Sequence, residues 1–205
     1  MTTNHGKAAA MILNQVGDYQ IEEFTVSAQD ASWQMVRAMN PSSMGRFTPA
    51  GTYMRLMRGG QCVMSNTPDE IHDHSSFIRR AHGYVLINGL GIGMCLDAVL
   101  AKPEVWNVRV IEIAPEVIQL VGSKYENDLR VCIVQADALE YKPRRGERFD
   151  VVWHDIWDDI CADNLPDMKA LHRKYGRRCE WQGSWARALC ERADRDWKRQ
   201  SRWMR

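Results

Sequence analysis

Val85-Leu86-Ile87-Asn88-Gly89-Leu90-Gly91-Ile92-Gly93-Met94 is the stretch on which the fold turns: an apolar run enters a loop with glycine at every second position. A strand that turns into a helix through closely spaced glycines leaves bare backbone for a ligand to approach. A second apolar run, Val108-Arg109-Val110-Ile111-Glu112-Ile113, places Glu112 23 residues beyond Gly89. An acid at the end of that strand is suited to hold a ribose diol. Together the two runs point to a nucleotide-like cofactor.

The glycine spacing separates two cofactor classes. A dinucleotide fingerprint needs its third glycine at position 94, to pack the helix under a pyrophosphate, and Met94 stands there. The pattern is G-x-G-x-G, which favours S-adenosylmethionine over NAD.

Two further runs lie downstream. Val131-Cys132-Ile133-Val134-Gln135-Ala136-Asp137-Ala138 reads as a third strand ending in an acid, and Phe149-Asp150-Val151-Val152-Trp153-His154-Asp155 as a fourth that delivers Asp155 to its carboxyl end. Helix-compatible segments at 94–102 and 115–125 separate the strands, the second opening with Pro115 at a first helical position. Alternating strand and helix predict an α/β fold with a parallel sheet. Ligands of such sheets sit beyond the carboxyl ends of the strands, so Gly89, Gly91, Gly93, Glu112, Asp137 and Asp155 are expected to converge.

The order VLINGLGIG, VRVIEI, VQADALEY, FDVVWHDIWDD resembles the class I S-adenosylmethionine-dependent methyltransferases, and within them the branch that includes spermidine synthases; the likeness runs over about residues 51 to 160. The resemblance implies a Rossmann-like core. It makes Gly89, Gly91 and Gly93 the cofactor loop, Glu112 the ribose ligand, and Asp137 with Ala138 the border of the adenine. Asp155 matches the acid that helps deprotonate the attacking amine in the synthases, Asp158 the second acid of that loop, and His74 a cofactor-contacting position.

The departures are specific. Ile92 stands where the synthases hold the aminopropyl amine with an Asp, Asp73 and Ser75 replace the Tyr and Glu flanking the His position, and Asp159 replaces a loop proline. Methyl transfer is therefore expected over polyamine synthesis, with Asp155 as base or amine anchor. An aminopropyltransferase and a non-catalytic cofactor-binding protein are the alternatives. Asp155-Ile156-Trp157-Asp158 is not the Asn-Pro-Pro-Tyr signature of amino-methylating nucleic-acid enzymes, which leaves the acceptor, small molecule or nucleic acid, open.

At 205 residues, 45% hydrophobic and 26% charged, the chain suits one compact globular domain and not a disordered one. Within it, residues 1–83 read as an extension of strand, hairpin and helix, 84–160 as the cofactor core, and 161–205 as a basic Trp-rich helical end. Six scattered cysteines form no C-x-x-C pair, which suggests reduced thiols in a cytoplasmic protein, with Cys95 and Cys132 in core elements. Ala8 to Leu13 is too short for a signal core or a membrane span. Asp73, His74, Asp155 and Asp158 show no recognisable ligand spacing, so no metal is expected.

Along the extension, residues 1 to 18 look loose, Tyr19 to Val26 reads as a strand and Gln29 to Met39 as a helix. Gly59-Gly60 turns a hairpin, and Thr67, Pro68 and Glu70 open a helix with a capping box. Beyond Asp155 no further strand is legible; 166–176 and 180–200 read as helices, leaving a short sheet of order 3-2-1-4. Its uncovered edge must be covered by the N-terminal hairpin, the C-terminal helices or a second subunit, which makes a homodimer reasonable.

Charge is uneven along the chain. From Arg173 to Arg205 there are 11 Lys and Arg against 4 Asp and Glu, so a basic end is joined to an acidic body. Arg173, Lys174, Arg177 and Arg178 with Tyr175, Trp181 and Trp185 suit nucleic-acid contact, or else tryptophans packed on the sheet with arginines facing water.

Overall fold

The computed structural model describes residues 10–40 and 46–203. Two sheets organise them. The first is antiparallel, in the order β1-β2-β3-β4, from β1 (Ala10–Val16), β2 (Tyr19–Val26), β3 (Gly51–Arg58) and β4 (Gln61–Ser65), with helix α1 (Ala28–Ala38) inserted after β2. The β3–β4 hairpin turns on Gly59 and Gly60, both at positive φ, as a tight two-residue loop requires.

The second sheet is parallel throughout. Its strands β5 (Gly83–Asn88), β6 (Val105–Glu112), β7 (Val131–Gln135), β8 (Phe149–His154) and β9 (Cys179–Ser184) lie in the order β7-β6-β5-β8-β9. The helices are α2 (Pro68–Arg80) ahead of β5, α3 (Met94–Leu100) and α4 (Pro115–Val121) in the crossovers, α5 (Leu165–Tyr175) between β8 and β9, and α6 (Arg187–Trp203) at the end. Covered on both faces, β5 and β8 are buried nearly end to end, which is why they read as continuous apolar runs.

Several expectations need correction. The order 3-2-1-4 is extended by a fifth strand, β9, so the edge beside β8 is supplied by this chain itself. Residues 180–200 are accordingly not one helix. Cys179-Glu180-Trp181-Gln182-Gly183-Ser184 has little apolar periodicity because its burial comes from neighbouring indoles: Trp181 stacks on Trp153 at 6.3 Å, and a Cβ on Gly183 would lie 2.6 to 2.7 Å from both rings. Trp181 and Trp185 are therefore not a helical pair, although Trp185 is buried in the core.

The stretch read as loose contains β1, which pairs with β2 through backbone bonds despite being mostly exposed; residues 1–9 lie outside the described residues. The capping box is not made by Thr67. Glu70 instead accepts from the backbone N–H and the hydroxyl of Ser65, which also bonds the Thr67 hydroxyl. Cys132, expected inside, is exposed, since β7 is the sheet edge.

Candidate functional site

The carboxyl ends of β5, β6, β7 and β8 meet at one cavity of about 290 Å³. Gly89, Gly91, Glu112, Asp137, Ala138, Asp155 and Asp158 all line it. The antiparallel sheet forms the opposite wall through Tyr19, Leu56, Arg58 and Met64. No pattern in the sequence marked those four residues, because their contribution depends on how one sheet is set against the other.

Two glycines are demanded by the approach of backbone and side chain. Gly89 has φ +96°, and a Cβ there would fall 1.8 Å from the Asp155 carbonyl oxygen. Gly91 has φ +53°, and its Cβ would fall 2.2 Å from Met64 Sδ. Gly93 is placed differently, as N-cap of α3 with its carbonyl accepting from the Tyr125 hydroxyl; it supports the loop and does not form the cavity wall.

Glu112 is 8% exposed, with Oε2 accepting from the Leu90 N–H and Oε1 from the Ala114 N–H, both at 2.8 Å. The carboxylate thus locks the glycine loop to the end of β6. Each oxygen has a lone pair left for a hydroxyl in the cavity, so a ribose diol fits this acid as it stands. Asp137 accepts from the Leu139 N–H, which turns the chain so that Ala138 faces the cavity. Lys174 holds that turn from behind, donating to the carbonyls of Ala138, Leu139 and Tyr141. A lysine read as a candidate phosphate contact is therefore committed to the backbone of the loop.

Asp155 has a side chain only 15% exposed. Burial, followed by the negative charges of Glu70, Asp73 and Glu112, pushes its carboxyl well above the usual carboxylate range. Asp158 is ion-paired to Arg58 across the cavity mouth. Among the described residues, six carboxylates, those of Glu70, Glu112, Asp137, Asp155, Asp158 and Asp167, face the cavity against one guanidinium, that of Arg58.

His74 does not line the cavity. It is fully buried behind Asp155, edge-on to Trp153, and neither ring nitrogen has a hydrogen-bond partner among the described residues. Burial pushes its pKa down to about 4. His154 offers a contrast: it too is buried and pushed down to about 3 by burial, but its Nδ1 meets Asn88 and its Nε2 meets Gln182.

The expected basic surface lies elsewhere. Lys142, Arg145, Arg148, Arg173, Arg177 and Arg178 gather at the amino ends of β8 and β9. A six-residue strand spans about 20 Å, so this cluster is at the far end of the sheet from the cavity. Arg148 donates to the Arg177 carbonyl, and Arg178 to those of Arg144 and Glu147, so these side chains are tethered by neutral oxygens.

No family model matches the chain. Over 81 residues it is 40% identical to polyamine aminopropyltransferase 2 of Caldanaerobacter subterraneus subsp. tengcongensis, a match covering 37% of this chain and 27% of that protein. Among solved structures, the spermidine synthase of Thermotoga maritima aligns over 81% of this chain and 52% of its own, with 21% identity and a TM-score of 0.46. The N-methyltransferase NodS from Bradyrhizobium japonicum aligns over 56% of this chain and 64% of its own, with 16% identity and a TM-score of 0.44. The chain thus spans about half the length of the synthase, and the matched segment about a quarter of the aminopropyltransferase. No helix among the described residues is long and apolar enough to cross a membrane. The solved structures that resemble the chain thus include a spermidine synthase and an N-methyltransferase, at 21% and 16% identity.

Proposed function

We propose that this chain transfers a methyl group from S-adenosylmethionine to an amine. The observation that carries the reading is a cavity at the strand ends whose lining joins a glycine turn and Glu112 to a marked excess of carboxylates. The sulfonium of such a cofactor supplies a carbon already activated toward nucleophiles, so the protein has to position the attacking group and manage one proton. Glu112 holds the ribose hydroxyls with the lone pairs left over from Leu90 and Ala114. Gly89 and Gly91 let the ligand approach the backbone, and Asp137 and Ala138 border the base. Asp155 orients the amine and accepts its proton, with Asp158 and Arg58 at the mouth.

The acidic lining selects for a cation and disfavours a polyanion, so a small amine is a better acceptor than nucleic acid. The Arg-rich surface at the other end of the sheet is too distant to present a bound strand to Asp155. A second reading, aminopropyl transfer, is favoured by the 40% identity to a protein named as a polyamine aminopropyltransferase. Against it stands Ile92, an apolar side chain packed on the core where the synthases place an acid for the aminopropyl amine.

Calorimetry with S-adenosylmethionine, its decarboxylated form and NAD separates the readings. Tight binding of intact S-adenosylmethionine and methylation of a di- or polyamine are expected. Preference for the decarboxylated form would move the chain to the second reading, and binding of NAD alone would remove both.

A further inference from the structure

Three side chains from three separate elements meet just behind the cavity wall. His74 comes from the middle of α2, Cys95 from the first turn of α3, and Asp155 from the end of β8, and their donor atoms all lie within 4.8 Å of one another. The nitrogens of His74 are buried and unpartnered, an arrangement that costs free energy unless something fills it. Asp155 does not fill it, because its Oδ2 is 3.7 Å from His74 Nε2, beyond hydrogen-bond reach. That spacing suits two ligands on one ion, since donor atoms around a tetrahedral zinc stand about 3.3 to 3.8 Å apart.

We propose that His74, Cys95 and Asp155 form a zinc-binding site with one open position toward the cavity. One imidazole, one thiolate and one carboxylate make a donor set that zinc prefers over magnesium or calcium, which take oxygen ligands. The ion enters from the cavity, onto which Asp155 faces, and releases the Cys95 proton on binding. The burial of His74 and Cys95 excludes competing water. The site does not depend on which cofactor the cavity takes. It bears on the proposed chemistry in one way: zinc occupies the carboxylate assigned to the amine, so the same ion inhibits transfer.

The test uses tag-free, chelator-treated protein without any sulfonium compound, so its failure leaves the transferase reading untouched. Titration with cobalt(II) is expected to load one ion per chain with a sulfur-to-cobalt charge-transfer band. Cys95→Ser is expected to abolish the band while Cys190→Ser keeps it, and His74→Ala to weaken zinc affinity by more than about tenfold. X-ray absorption of the zinc-loaded wild-type protein is expected to show one sulfur among nitrogen and oxygen neighbours, which keeps the proposal testable if a variant does not fold. A wild-type protein that binds no ion, a zinc shell with no sulfur or with more than one, or a cobalt band that survives in Cys95→Ser overturns it.

Discussion

The two ends of the parallel sheet carry opposite charge and treat it in opposite ways. At the carboxyl end, carboxylates crowd a half-closed cavity whose wall, among the described residues, carries one cation, Arg58, and burial holds Asp155 far from its ordinary titration. At the amino end, arginines stand at the surface and are steadied by backbone carbonyls. A formal net charge of +1 conceals this separation. What it teaches is that charge does work only where water is excluded: in a cavity each carboxylate alters its neighbours, whereas on the surface solvent screens them.

The sharpest way to break the comparison is Asp155→Asn. Turnover should fall by about 100-fold or more, the scale of a lost acid–base group, while S-adenosylmethionine binding measured by calorimetry changes little. Unchanged turnover would mean that the cavity acids are a structural cluster.

Acid should then undermine the buried end first. His154, with a pKa near 3 in the fold and an ordinary value near 6.5 when unfolded, binds its proton more readily in the unfolded chain between those limits. Its contribution to stability is complete above pH 6.5 and is lost as pH falls toward 3; His74, lowered to about 4, acts in the same direction. Asp155, raised by burial, acts in the opposite direction, so the imidazole part is read by difference: His154→Gln should lose part of the fall in urea midpoint from pH 7 to pH 5, and an unchanged pH slope would contradict a neutral buried imidazole.

Glu112→Ala removes the acceptor of two buried N–H groups as well as the ribose ligand. Cofactor affinity should weaken by about 10- to 100-fold, with a loss of about 1 to 3 kcal/mol in stability by denaturant titration. Smaller effects separate the two kinds of cation. Lys174→Met, which frees three carbonyls, should cost about 1 to 2 kcal/mol, whereas Arg177→Ala at the exposed surface should stay within about 0.5 kcal/mol. Equal effects on thermal denaturation would erase the distinction between the two ends.

Much of the sheet could be read directly. Strands β5, β6, β7 and β8 are apolar runs punctuated by glycine, proline and acids, and those signals are local. The convergence of Gly89, Gly91, Glu112, Asp137 and Asp155 followed from the rule that parallel strands present their carboxyl ends together. Strand β9 was illegible because Glu180, Gln182 and Gly183 carry no apolar alternation, and the stacking of Trp181 on Trp153 is a contact across the sheet. His74 was placed on the cavity by resemblance and lies behind it, because α2 turns that face toward Trp153.

Local residue order dictates the alternation of strand and helix, the glycine turn, and which acids end which strands, since each of these depends on neighbours a few residues apart. Long-range packing is what brings Met64 and Arg58 to close the cavity, sets Lys174 against a loop, and stands His74, Cys95 and Asp155 together. Those contacts join residues tens of positions apart, and packing of the whole chain, not local preference, selects which of the many such pairs form.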